Sequence, residues 1–160
     1  IALTLTLGPD SFTRMSKDLK SRLRNDLVTA RKARDRRRTV VLTTLLSEVR
    51  NREIAVGEEL DDEGVVGVVA RAIKQRRAAA EQMLEGGRPE LADKESAEVA
   101  LLQDYLPAAL SEVDVRDMGR EVIATGANQM GPVMGKIMPQ IRGRFDGKEA
   151  GRIVREELRG

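Results

Sequence analysis

Apolar residues return at helical intervals along almost the whole chain. Leu19, Leu23, Leu27 and Ala30 recur at i, i+4, i+8 and i+11, one buried stripe of a helix predicted from about Lys17 to Arg34, with Ser16 as its N-cap. Val40, Val41, Leu42, Leu45, Leu46, Val49 and Ile54 make the next helix, about Arg37 to Ala55, the most apolar one. It is expected at the centre of the N-terminal half, and Gly57 stops it. Asp61 or Asp62 caps a third helix that runs to about Glu85 on Val65, Val69, Ala72, Ile73, Ala80 and Met83. Gly64 and Gly67 weaken its first turns, so close helix packing is the expected compensation. Gly86-Gly87 ends it, and Pro89 opens a fourth helix at a position where its missing N–H costs nothing. That helix carries through to Tyr105-Leu106-Pro107, and Pro107 is the best boundary between two helical units.

The remaining chain predicts three shorter helices. Ser111 with Asp114 resembles a capping box at the start of helix five, whose apolar positions are Val113, Met118, Val122 and Ile123. Gly126-Ala127-Asn128 is a loop. Pro132 starts helix six and Gly143 is its C-cap, while Gly135 is expected to let that helix pack closely on a neighbour. Asp146 and Glu149 form a second capping box at the start of helix seven, Gly147 to about Leu158. On a wheel of about 100° per residue, Ala150, Ile153, Val154 and Leu158 gather on one side of helix seven. Lys148, Arg152, Arg155 and Arg159 form a narrow stripe almost opposite. Met118, Met130, Met134 and Met138 read as adaptable core filling.

Only Ile1–Leu7 alternates apolar and polar like a strand, and Gly8-Pro9-Asp10 breaks it. Residues 1–14 are read as a non-native or mis-called extension, with Met15-Ser16 as the natural start. The chain is therefore expected to be all-α: an N-terminal bundle of about four helices over residues 15–106, then a compact three-helix tail over 107–160.

Composition narrows the chemistry. Aromatics are 2% of the chain, so the core must be aliphatic. There is no Cys and no His, which removes thiolate nucleophiles, imidazole ligands and the usual neutral-pH general base. A carboxylate-bound Mg²⁺ is not removed by the same reasoning. Glu95, Glu98 and Asp61-Asp62-Glu63 read as helix caps and surface salt links rather than acid/base or metal groups. No catalytic residue, metal site or cofactor is expected. No apolar run is long enough to span a membrane. A cysteine-free chain suits a reducing compartment, and a cytoplasmic location is expected.

The net charge is only +2, but its distribution is uneven. Between Arg14 and Arg38 eleven Lys and Arg face three acids. The row Lys17, Lys20, Arg24 and Arg31 serves either as solvated charge or as a phosphate-facing surface. A second basic group, Lys136, Arg142, Arg144 and Lys148, extended by Arg152 and Arg155, surrounds the glycine-rich segment Gly131–Gly147 and forms the candidate RNA-binding site. Few aromatics are present to stack on bases, so recognition would be by backbone and shape.

Several linked motifs carry a family resemblance. Ile73-Lys74-Gln75-Arg76-Arg77, Glu81-Gln82, Gly87-Arg88 with Leu91-Ala92, Glu95, Glu98 and Tyr105-Leu106-Pro107 are similar to the GatB/YqeY family. So are Gly131 through Met138-Pro139, and Gly143-Arg144 with Asp146-Gly147-Lys148. The likeness spans Met15 to Gly160. Its C-terminal part resembles the tail of the B subunit of the tRNA-dependent amidotransferase, which amidates Glu-tRNA(Gln) or Asp-tRNA(Asn) with glutamine as nitrogen donor. The resemblance implies a two-part helical fold and a partner that is tRNA or another structured RNA. The catalytic region of that subunit is not in this chain. A non-catalytic RNA-binding accessory is the first expectation. A helical adaptor for translation or amidotransferase proteins, with exposed apolar surface near Tyr105–Pro107, is the second. A carbon–nitrogen ligase activity using glutamine is the third.

Overall fold

The computed structural model describes residues 18–160. The strand-like stretch Ile1–Leu7 and the Ser16 cap lie outside the described residues. Within them every element is helical: α1 (Asp18–Lys32), α2 (Arg36–Val56), α3 (Asp62–Glu85), α4 (Pro89–Gln103), α5 (Glu112–Ala124), α6 (Met130–Ile141) and α7 (Gly147–Arg159). The chain divides into two compact units, the first ending at Tyr105 and the second running Leu106–Gly160.

In the first unit α1 and α2 form an antiparallel hairpin. Arg34 takes a left-handed backbone (φ 56°) in the turn, and Asp35 caps α2 by accepting from the Arg38 amide at 3.0 Å. At the open end of the hairpin Lys20 is ion-paired to Glu53. Asp61 caps α3 at the Gly64 amide, 2.8 Å away, and Asp62 accepts from the Leu19 amide at 3.1 Å, joining the starts of α1 and α3. Arg76 of α3 donates to Glu98 of α4 at 3.0 Å, with little of either side chain exposed. Leu23, Leu42, Leu45, Val65, Val69 and Leu102 fill the core. Gly64 serves its own cap rather than a helix–helix contact. A Cβ there would sit 3.0 Å from Leu60 Cδ2 and 3.3 Å from Asp61 Oδ1.

Helix α2 packs on each of the other three helices of this unit, as expected of a central helix, but two of its apolar positions are not core. It buries Val41, Leu42, Leu45 and Val49, while Val40 is 60% and Ile54 71% exposed. Val40 and Ile54 lie on the face turned away from those four, and no other helix of this unit covers it among the described residues. Of the surface expected near Tyr105–Pro107, Tyr105 is only 4% exposed, whereas Pro107 is exposed. The Tyr105 hydroxyl donates to Asp26 at 2.6 Å and the Arg22 guanidinium lies 4.8 Å from the centre of its ring.

In the second unit α5, α6 and α7 enclose Val115, Val133, Ile137, Ile141, Ala150, Ile153 and Val154, all fully buried. Ser111 and Asp114 make the expected capping box, in which the Ser111 hydroxyl accepts from the Asp114 amide and Asp114 accepts from the Ser111 amide at 2.8 Å. The phase of α5 differs from expectation. Val113 is 66% exposed and Val115 takes the core position. Two residues turn a helix by about 200°, so only one of the pair can face inward. The close approach expected at Gly135 is also corrected: a Cβ there would meet nothing within 4 Å. Gly119 of α5 holds that role, with Val154 Cγ2 and Ile137 Cδ1 at 3.8 and 3.9 Å from its Cβ position. Helix α6 begins at Met130, so Pro132 is its third residue, where the amide has no intrahelical partner anyway. Gly143 follows α6 with φ 73°, a conformation few other residues adopt without strain.

Candidate nucleic-acid interface

The second unit sorts its cations into two classes. One class is consumed by carboxylates between α5 and α7. Arg116 donates to Glu157 at 2.6 Å, to Glu112 at 2.9 Å and to Glu156 at 2.9 Å. Arg120 donates to Glu157 at 2.8 Å. Arg152, expected in the basic stripe, bonds Glu149 at 3.0 Å and Glu156 at 2.7 Å, and lies 3.5 Å from Glu112. Hydrogen bonds from Arg120 and Arg116 hold Glu157 below the usual carboxylate range, and those from Arg116 and Arg152 do the same for Glu156. The three guanidiniums are correspondingly held more firmly charged, Arg116 chiefly by Glu157 and Arg152 chiefly by Glu149.

Sequence reading missed this network. The signal was present on the α7 wheel, where Glu157 falls between Ala150, Ile153 and Val154 on the apolar side. A carboxylate there requires cationic partners. Arg116 and Arg120, four residues apart on α5, are spaced to supply both.

The second class faces outward. Lys148, Arg155 and Arg159 lie within about 40° of one another on α7, all exposed, and their side chains have no partner among the described residues. Their placement follows from the α6–α7 seam. Met138 Cε is 3.6 Å from the Cβ position of Gly147, and Met130 Cε is 3.8 Å from that of Gly151. The methionine edge of α6 therefore lies against α7. Gly131 and Gly135 come next outward on α6, both open to solvent. On the other side of the seam, Arg155 and Lys148 come next outward from Gly151. The outer lip of the seam thus has one wall without side chains and one cationic wall.

The six candidate residues do not form a single cluster. Lys148 and Arg155 stand together on the lip, and Arg152 borders them while turned into the carboxylate network. Arg144 donates through Nε to the Ala108 carbonyl at 3.0 Å, and its own carbonyl accepts from the Leu110 amide at 2.9 Å. It fastens the segment before α5 to the turn after α6. Arg142 is exposed at the C-terminus of α6. Lys136 is exposed on the far edge of α6, about 160–200° round from Met134 and Met138. Arg159, absent from the six, completes the cationic wall.

No group of three or more metal-ligating His, Cys, Asp or Glu occurs among the described residues, and none of their helices is long and apolar enough to cross a membrane.

The family model described as Yqey-like protein matches residues 20–158, nearly all of the described chain. The chain belongs to the YqeY-like family. Among its relatives are proteins named altered inheritance of mitochondria protein 41, mitochondrial. The one from Lachancea thermotolerans is 31% identical over 104 residues, 62% of this chain and 56% of the relative. The one from Kluyveromyces lactis is 33% identical over 99 residues, 59% of this chain and 54% of the relative. A Saccharomyces cerevisiae protein (strain YJM789) is 27% identical over 132 residues, 80% of this chain and 70% of the relative. The chain spans little more than half the length of the first two of these YqeY-like relatives.

Proposed function

We propose that this chain is a non-catalytic RNA-binding accessory, directed at tRNA or another structured RNA, and that the outer lip of the α6–α7 seam is its phosphate-binding surface. One observation carries the reading: Lys148, Arg155 and Arg159 are aligned and have no side-chain partner among the described residues, beside a network that neutralises Arg116, Arg120 and Arg152. Exposed side chains that pair internally gain little from a polyanion, whereas unpaired aligned cations release its counterions. The bare edge at Gly131 and Gly135 lets a sugar–phosphate backbone approach α6 without a side chain intervening. Pro139 has no amide to give the Gly135 carbonyl, which leaves that carbonyl as an acceptor for a ribose 2′-hydroxyl. The resemblance of this unit to the tail of the tRNA-dependent amidotransferase B subunit supports tRNA as the RNA.

The test is retention of unmodified tRNA on filters across a salt series, for the wild-type chain and for Lys148→Ala/Arg155→Ala/Arg159→Ala. The wild type should bind with an affinity that falls steeply with salt. The triple variant should bind more weakly, and its log–log salt slope should be shallower by about 2–3, roughly 0.9 for each lost phosphate contact. Undetectable binding by the wild type at low salt, or a triple variant with an unchanged slope, rejects the assignment.

A further inference from the structure

The outward face of α2 stands apart on a chain in which 34% of residues are charged. Between Val40 and Ile54 it presents Thr43, Thr44, Ser47 and Asn51, with Arg50 as the single charge. Its two ends carry large exposed apolar side chains, Val40 and Ile54. Beside it runs a shallow groove against α1, floored by Leu27, Leu46 and Val49. Two exposed apolar side chains this far apart are ordinary on a protein surface; what marks the face is the arrangement of charge at its ends.

The charges flanking this face are reversed with respect to the helix dipole. Arg36 and Arg37 are exposed in the first turn of α2, where the helix end is positive. Glu58 and Glu59 are exposed just past its last turn, where the end is negative. The last turn has no basic residue and the first no acidic one, so only the Asp35 cap offsets the arrangement. Each end is electrostatically unfavourable alone and complementary to the other end.

The register is symmetric as well. Ser47 is equidistant in sequence from Val40 and Ile54, and equidistant from Arg36 and Glu58. Laid antiparallel on a copy of itself about Ser47, α2 places Val40 opposite Ile54, Thr43 opposite Asn51, and Arg36 beside Glu58, at both ends at once. This is the self-complementarity that a two-fold interface demands. We infer that the outward face of α2 is a homodimer interface, in which a second copy of this chain packs its own α2 antiparallel across the two-fold axis at Ser47. Helix α2 has 21 residues and is about 31 Å long. One helix face and its flanking groove bury less than a standard interface, so the dimer is a weak one, with a dissociation constant on the order of micromolar. The inference is independent of the RNA reading, which rests on the other unit.

Sedimentation velocity on the full chain over micromolar to millimolar concentration should show reversible dimerisation. Arg36→Glu/Arg37→Glu and Glu58→Lys/Glu59→Lys should each weaken it by at least about tenfold, because each variant sets like charges together at both ends. An equimolar mixture of the two should dimerise again, since both ends then pair opposite charges. The chain has no cysteine, so Ser47→Cys introduces a single thiol on the axis. Mild oxidation should link it into a disulfide dimer, whereas Asp117→Cys in the other unit should form no disulfide-linked dimer under the same conditions. Circular dichroism confirms that each variant is helical. A wild type that remains monomeric throughout, or charge variants that fail to rescue one another, overturns the inference.

Discussion

The Arg116 guanidinium donates to Glu157 Oε1 at 2.6 Å and so ties α5 to α7 across the face of the second unit. Arg120 reaches the same carboxylate at 2.8 Å, and only 13% of the Glu157 side chain is exposed. A carboxylate placed on the apolar side of a helix is tolerable only with such partners.

Acid should therefore loosen the second unit through this pair. Glu157 and Glu156 titrate below their ordinary value when folded, and unfolding returns them to about 4.3. The unfolded chain binds more protons in that window, so their contribution is complete above about pH 4.3 and is lost as pH falls through the folded values. Glu157→Gln should lower the melting temperature at pH 7 and flatten its decline towards pH 3. Melts followed by circular dichroism at a series of pH values check this. An unchanged acid limb would mean that the pair contributes nothing.

The sequence made much of this architecture legible because local signals agreed with packing. Ser111 and Asp114 announced a capping box and formed one. Pro89, Gly57 and Gly143 marked helix ends through backbone restrictions that act within a few residues. The α7 wheel identified Ala150, Ile153 and Val154 correctly because a three-helix unit buries one stripe per helix. What failed was whatever depended on partners distant in sequence. Val113 and Val115 look alike until the neighbouring helices choose one. Val40 and Ile54 look like core until the described helices of the first unit leave one side of α2 uncovered. Arg152 is a different case: its two hydrogen-bond partners, Glu149 and Glu156, are three and four residues away on α7, a local signal that a wheel sorted only into apolar and basic positions leaves out.

Tyr105 offers a direct optical readout. It is the only tyrosine, and there is no tryptophan. Burial, and then the hydrogen bond to Asp26, raise its phenol well above the usual value near 10. Absorbance near 295 nm should show little phenolate in the folded protein at about pH 11, and ordinary titration in denaturant. The sign follows: a raised folded value contributes stability that is complete below about pH 10 and is lost as pH rises through the folded value. Tyr105→Phe should remove that alkaline sensitivity and cost about 1–2 kcal/mol at pH 7 through the lost hydrogen bond.

Two glycines of the second unit should respond oppositely to added volume. Gly119 sits under Val154 and Ile137, so Gly119→Leu should overpack the core and cost about 1–3 kcal/mol. Gly135 is exposed within α6 and meets nothing, so Gly135→Ala should stabilise the protein by about 0.5–1 kcal/mol. Denaturant titrations measure both. If the bare edge of α6 serves RNA, Gly135→Ala should also weaken tRNA retention while raising stability. A variant that is more stable and binds equally well would assign the edge no role in binding.

Arg152 and Arg155 separate the structural from the functional use of charge on one helix. They are three residues apart, both exposed, and alike in sequence context. Arg152 is bonded to Glu149 and Glu156, whereas the Arg155 side chain has no partner among the described residues. Removing Arg152 leaves Glu149, Glu156 and Glu112 less compensated, so Arg152→Ala should lower the melting temperature, and it should do so less as pH falls through the depressed range in which Glu156 takes up its proton. It should leave the salt slope of tRNA binding nearly unchanged, because a cation already neutralised releases few further counterions. Arg155→Ala should do the reverse, reducing the slope by about 0.9 with little change in melting temperature. Measured together, the two variants decide whether pairing, rather than mere position on the basic stripe, determines which arginine meets the RNA.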